Sequence, residues 1–112
     1  MSSRGYVFRL RLQDAAAATG NGVELDVAGC PTASLQVSGT FSATVTFEGT
    51  VDGANWIAIQ MTNLNAGTAS TTATAAGLFA GNVAGLLKIR ARISAYTSGN
   101  VTVDGIVTTA PR

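Results

Sequence analysis

Apolar and polar positions alternate with a period of two along much of this chain, and some alternations carry charge of a single sign. Phe8-Arg9-Leu10-Arg11-Leu12 alternates apolar with cationic residues, and Val23-Glu24-Leu25-Asp26-Val27 alternates apolar with anionic ones. A period of two sends successive side chains to opposite faces of a strand. Folding the chain back through residues 14–21 predicts an antiparallel hairpin over residues 6–28. In it Arg9 faces Asp26, Arg11 faces Glu24, and Phe8, Leu10 and Leu12 meet Val27, Leu25 and Val23. Each cross-strand ion pair contributes only about 0.2–1 kcal/mol. A one-residue slip would turn the whole apolar set to solvent, so burial rather than charge sets this register.

Further strand patterns follow. Gly29-Cys30-Pro31-Thr32 breaks the pairing, since proline has no N–H to give a ladder. A short strand over residues 34–38 precedes a regular alternation over 41–47, with Phe41, Ala43, Val45 and Phe47 inward and Ser42, Thr44 and Thr46 outward. Asp52-Gly53-Ala54-Asn55, between Val51 and Trp56, has the chemistry of a hairpin turn. A bulge at Gly49 brings Phe47 opposite Ile59 and Val45 opposite Met61. Residues 63–67 read as a loop, 70–76 as a small-residue strand and 81–85 as a single helical turn. The longest strand, 86–96, puts Leu87, Ile89, Ala91, Ile93 and Ala95 on one face and Lys88, Arg90, Arg92 and Ser94 on the other. Thr97-Ser98-Gly99-Asn100 then turns the chain back into 101–109, with Ile93 opposite Val103 and Arg92 opposite Asp104, before Pro111-Arg112 ends it. These elements predict one all-β domain over residues 1–112, a two-sheet antiparallel β-sandwich, jelly-roll-like, of about eight strands.

Composition narrows the function. Seven Lys+Arg balance six Asp+Glu, and charged residues make up 12% of the chain, about half the usual ~25%. With no cationic excess to neutralise phosphates, nucleic acid is not an expected partner. There is no histidine and a single cysteine, Cys30. The chain therefore cannot form an intramolecular disulfide or a thiolate–imidazole metal site, and no cofactor or metal is expected. Met1-Ser2-Ser3-Arg4-Gly5 carries no hydrophobic run, and no apolar stretch approaches the ~20 residues of a membrane helix. The expectation is synthesis in a cytoplasm, with no signal peptide and no membrane partner. So little charge on so small a domain points to a surface covered by other protein, and hence to a homo-oligomer.

Catalysis needs converging groups of tuned proton affinity. Of the carboxylates, Glu24, Asp26 and Asp104 belong to the expected surface pairs, and Glu48 and Asp52 flank a solvated hairpin tip. No enzyme is expected. Asp52, Asn55 and Trp56 together have the make-up of a sugar-binding trio, an aromatic platform beside hydrogen-bonding groups. Equally, Trp56 can cap the hairpin by packing on Val51. The stripe Lys88-Arg90-Arg92 lacks an aromatic platform and reads as a solvated or partner-paired face, and Cys30 as a small buried residue or an exposed thiol.

The segment Phe47-Glu48-Gly49-Thr50-Val51-Asp52-Gly53-Ala54-Asn55-Trp56-Ile57 resembles a hairpin of the form F-E-G-(S/T)-x-D-G-x-N-W that recurs in small β-sandwich virion proteins of tailed bacteriophages. Gly77-Leu78-Phe79, Asn82-Val83-Ala84-Gly85-Leu86, Lys88-Ile89-Arg90-Ala91-Arg92 and Tyr96-Thr97-Ser98-Gly99-Asn100-Val101-Thr102-Val103 are similar to the rest of that module. The resemblance spans residues 35–107 and leaves the N-terminal hairpin outside it as a candidate attachment element. It implies a non-enzymatic virion protein; within that class small size and low charge point foremost to a capsid decoration (cement) protein that sits as a homo-oligomer, a trimer first, on the major capsid protein. A tail or fibre component, or a carbohydrate-binding adhesion module using Trp56, is the alternative.

Overall fold

The structure, a computed structural model, describes residues 7–108. The expected readings at Met1-Ser2-Ser3-Arg4-Gly5, at residue 6 of the hairpin, at Thr109 and at Pro111-Arg112 lie outside the described residues. Among the described residues there are eleven strands: β1 (Val7–Ala16), β2 (Leu25–Asp26), β3 (Thr32–Ser38), β4 (Phe41–Thr50), β5 (Ile57–Ala58), β6 (Met61–Asn63), β7 (Thr68–Ser70), β8 (Thr72–Ala73), β9 (Gly77–Asn82), β10 (Lys88–Gly99) and β11 (Val101–Thr108). They form two antiparallel sheets. One is ordered β1-β11-β3-β9-β6-β7, and the other β2-β10-β4-β5 with β8 also on β4. The strand number exceeds eight because β2, β5, β6, β7 and β8 are pieces of two or three residues.

The inner faces are where the period-of-two pattern puts them. Leu12, Ala33, Leu35, Val37, Phe79, Val101, Val103 and Val107 from the first sheet meet Leu25, Val45, Phe47, Ile89, Ala91 and Ile93 from the second in one buried cluster. Phe47 and Phe79 join the layers at its centre, their ring centroids 5.1 Å apart and tilted by 50°. Gly105, at the middle of β11, faces the same core. A methyl group there would stand 2.9–3.0 Å from Leu12, Leu25 and Leu35, so three leucines fill the space that its missing side chain leaves.

Two crossings at one end of the sandwich set the strand order. Gly39-Thr40 carries the chain from β3 in one sheet to β4 in the other, and Gly99-Asn100 carries it from β10 back to β11. Gly39 and Gly99 have φ of 107° and 87°, a region costly for residues with a Cβ. The corners lie against each other: the Asn100 N–H donates to the Thr40 carbonyl at 3.2 Å, and a Cβ on Gly99 would overlap that same carbonyl.

These crossings overturn several sequence expectations. β10 and β11 do not form a hairpin but lie in opposite sheets, so Ile93 pairs with Val45 and Val103 with Val37. Nor do β1 and β2 pair. β1 lies beside β11, with Arg9 opposite Ile106 and Arg11 opposite Asp104, while β2 lies beside β10, with Asp26 opposite Lys88. The Arg9–Asp26, Arg11–Glu24 and Arg92–Asp104 pairs are therefore absent. Phe47 does accept a hydrogen bond from the Ile59 N–H at 2.8 Å. However, Glu48 and Gly49 pair with Ala58 and Ile57 in unbroken register without a bulge. Beyond Ile59 the chain leaves for the other sheet, so Val45 faces Ala73 of β8 and Met61 pairs with Ser70. A register shift between Ile93 and Ala95 turns Ala95 outward and packs Tyr96 on the core. The region read as a helical turn is the end of β9 followed by a tight turn, in which the Leu86 N–H donates to the Val83 carbonyl.

Replacing Gly105 by alanine tests the tight layer contact. Overpacking of this kind costs about 1–3 kcal/mol, which denaturant titration would read as a lower midpoint with an unchanged slope. An unchanged midpoint would mean that the three leucines yield freely.

Candidate functional site

Chemistry-bearing side chains gather on the outer face of the second sheet. The even-numbered residues of β4 point outward, yet Thr46, Glu48 and Thr50 are as buried as core residues. The reason is the neighbouring strand. Arg90 stands opposite Glu48 and Arg92 opposite Thr46, and their guanidinium groups close over the carboxylate: Arg90 Nε donates to Glu48 Oε1 at 2.8 Å and Arg92 Nε to Oε2 at 3.1 Å. Only 9% of the Glu48 side chain reaches solvent, against 13% for Arg90 and 36% for Arg92. Below them the Thr46 and Ser94 hydroxyls share a 2.7 Å hydrogen bond. Above them the Arg90 guanidinium carbon lies 4.2 Å from the centroid of Trp56, a cation–π contact of about 0.5–2 kcal/mol.

Arg90 covers one face of the Trp56 indole. The rest of the expected sugar-binding trio lies in the loop before it. Asp52 Oδ1 accepts from the backbone N–H groups of Ala54 and Asn55, both at 2.8 Å, and from the Thr50 hydroxyl at 3.0 Å. Its Oδ2 accepts from the Asn55 side-chain amide at 2.7 Å. This is the physical content of Asp-Gly-Ala-Asn: the carboxylate organises the loop, and Gly53 supplies its positive φ of 81°. The same contacts hold Asp52 well below the usual carboxylate range, the Asn55 N–H first, then the Asn55 amide, the Ala54 N–H and the Thr50 hydroxyl. Next to the loop, Val51 and Ile57, each 69% exposed, border an apolar depression with Ile59 and Leu86.

The remaining acids are also engaged. Asp104 binds Arg11 at 2.8 Å, which raises the arginine's proton affinity. Asp14 reaches the same arginine at 3.4 Å, Glu24 binds Lys88 at 3.2 Å, and Asp26 accepts from the Ala28 N–H at 3.0 Å. All six carboxylates of the chain thus have an intramolecular donor. No cluster of three or more potential metal ligands occurs among the described residues. The stripe of Lys88, Arg90 and Arg92 is acid-paired along its length, and Cys30 is buried. What the sequence pattern missed is Glu48 as the shared partner of two arginines. Its signal was present in the matching outward parities of β4 and β10, but only the pairing of those strands makes it legible.

Two outcomes test this site. Glu48→Ala leaves two guanidinium groups facing each other without their acid and is expected to lower stability by about 3 kcal/mol, read by denaturant unfolding; a change within error would make the cluster a surface ornament. For Asp52 the folded pKa lies below the unfolded one, so its contribution is complete above about pH 4 and is lost as pH falls through the folded value. Carboxyl chemical shifts should show Asp52 still ionised at about pH 3, where an ordinary aspartate (~3.9) is mostly protonated. A midpoint at the ordinary value would undo the account of the loop.

The model of the XepA family matches residues 7–107. Among solved structures, the SPBc2 prophage-derived protein YomS superposes with a TM-score of 0.86 at 22% identity, over 93% of this chain and 94% of its own. The PBSX exported protein XepA superposes with a TM-score of 0.88 at 22% identity, over 93% of this chain but 38% of its own, so this chain spans well under half of XepA. A search of curated proteins finds no match.

Proposed function

This chain belongs to the XepA family, and on that premise we propose that it is a non-enzymatic structural protein of a phage or prophage particle, specifically a decoration protein that assembles as a homo-oligomer on the major capsid protein. The prophage origin of YomS supports the phage setting, and XepA, an exported protein, fits a role outside the cytoplasm. The same sandwich makes up nearly all of YomS and little more than a third of XepA, as a reusable building block would.

The observation that carries the reading is a pair of exposed segments without charge. Residues 17–23 and 64–69 are solvent-exposed throughout and contain no ionisable side chain. A free domain of this size ordinarily keeps such surface charged for solubility. Close-packed contact with neighbouring subunits explains Ala, Gly, Thr and Asn at these positions, and many repeated copies make individually weak contacts strong. The engaged carboxylates argue in the same direction, since each already serves a structural contact. Arg90 on the face of Trp56 weighs against a stacked sugar.

Light scattering at micromolar concentration should give a multiple of the 11.3 kDa chain mass, with a trimer expected. Density-gradient fractions of particles from the host should contain the protein in fixed ratio to the major capsid protein. An 11.3 kDa monomer absent from those fractions would overturn the proposal. Quenching of the single Trp by sugars in that case would put the adhesion module in its place.

A further inference from the structure

The outer face of the first sheet holds a feature that the structural role leaves unexplained. Among the described residues Arg11, Lys88, Arg90 and Arg92 each bind a carboxylate. Arg9 is exposed and has no ion pair among the described residues. It lies on β1, the outermost strand of its sheet, directly opposite Ile106 of β11. The same row continues through Ser34 of β3 to Ala80 of β9, and the next row runs Arg11, Asp104, Gln36, Leu78. Side chains shrink from a long cation to serine and alanine along the first row, between Ile106 and Leu78. The result is a shallow depression of about 510 Å³ across four strands, with Arg9 at one end and Leu78 at the other.

We propose that this depression binds an extended acidic segment of a second virion protein, with Arg9 taking a carboxylate and the floor between Ile106 and Leu78 taking an apolar side chain. The inference rests on the reading that the protein works by contacts within a particle. Charge complementarity selects the occupant. Four of this chain's six side-chain carboxylates already face a cation and Asp52 collects four donors, which leaves a second copy only Asp26 to offer Arg9. A different protein can bring a free acid without that limit. The dimensions agree: four strands about 4.8 Å apart span roughly 14 Å, which about five extended residues cover at ~3.3 Å each.

The probe is a dye-labelled pentapeptide, Glu-Thr-Leu-Thr-Leu, whose alternation sends its acid and both leucines to one side; the control has Gln in place of Glu. Fluorescence anisotropy at low ionic strength should show the Glu peptide binding, and binding falling about tenfold with Arg9→Ala, the loss expected for a charge-assisted hydrogen bond. The Gln peptide should bind as weakly to the parent protein as the Glu peptide does to Arg9→Ala, and Leu78→Asp should weaken both. Both substitutions are at exposed positions, and circular dichroism checks that the fold is kept. Absence of binding by the Glu peptide, or equal binding of the two peptides, overturns the proposal. So does dissociation of an oligomer by Arg9→Glu in sedimentation, which would assign the face to a second copy. Failure here with the protein still present in particles leaves the structural role standing, whereas absence from particles removes that role without touching the peptide result.

Discussion

Two of the chain's crossings between layers lie against each other, each made within two residues, and the rest of the architecture depends on them. β3 passes to β4 at Gly39-Thr40 and β10 passes to β11 at Gly99-Asn100. Because the corners touch, the strands leaving them are placed together: β4 must lie beside β10 in one sheet and β3 beside β11 in the other. Those pairings are the backbone of each layer. β1 and β9 then add to the flanks of the first, and the short β2, β5 and β8 to the flanks of the second. Positive φ at two glycines, and the absence of a Cβ where the Thr40 carbonyl passes Gly99, make the arrangement sterically possible.

Placing β4 beside β10 also creates the polar cluster. Outward residues on neighbouring antiparallel strands meet in register, and here that brings one carboxylate between two guanidinium groups. Each arginine alone would be an ordinary surface charge. Together with Trp56 they exclude water from Glu48, and the outer face of this sheet becomes a second packed layer of side chains. Removal of Glu48 would leave two guanidinium groups without their acid, so the carboxylate ties the cluster to the sheet it covers. The Asp52 loop beyond it is organised on the same principle on a smaller scale, with one carboxylate collecting neighbouring donors.

Polar groups folded inward on one another in this way leave a surface of unusual character. The ionisable side chains stabilise the sandwich, and what remains exposed is largely small and neutral, with isolated large residues such as Val51, Ile57, Leu64 and Leu78. Such a surface suits the close protein contact proposed above, with recognition by shape, by backbone and by a few groups such as Arg9. The recurrence of the fold as nearly the whole of YomS and as a part of XepA fits a domain whose stability is internal and whose outer surface is free to vary.

The alternation of residues along β1, β3, β4, β10 and β11 determined which side chains are buried, since a strand's two faces follow from covalent geometry alone. An all-β sandwich and the disposition of Leu12, Leu35, Val45, Phe47, Ile89 and Ile93 were legible on that basis, as was the Asp-Gly-Ala-Asn loop, whose contacts are local. Strand partners were not. Arg9 and Arg11 match Asp26 and Glu24 in spacing, yet Arg11 matches Asp104 equally well, and Arg92 suits Glu48 as well as Asp104. At about 0–1 kcal/mol each, exposed ion pairs are too weak to choose among such alternatives. Thr97-Ser98-Gly99-Asn100 likewise suits a hairpin or a corner between layers. The choice fell to the apolar faces of β10 and β11, which as hairpin neighbours would share one layer and here close the core from opposite sides. Burial is a property of the assembled sandwich, and only the tertiary structure could decide which strands meet.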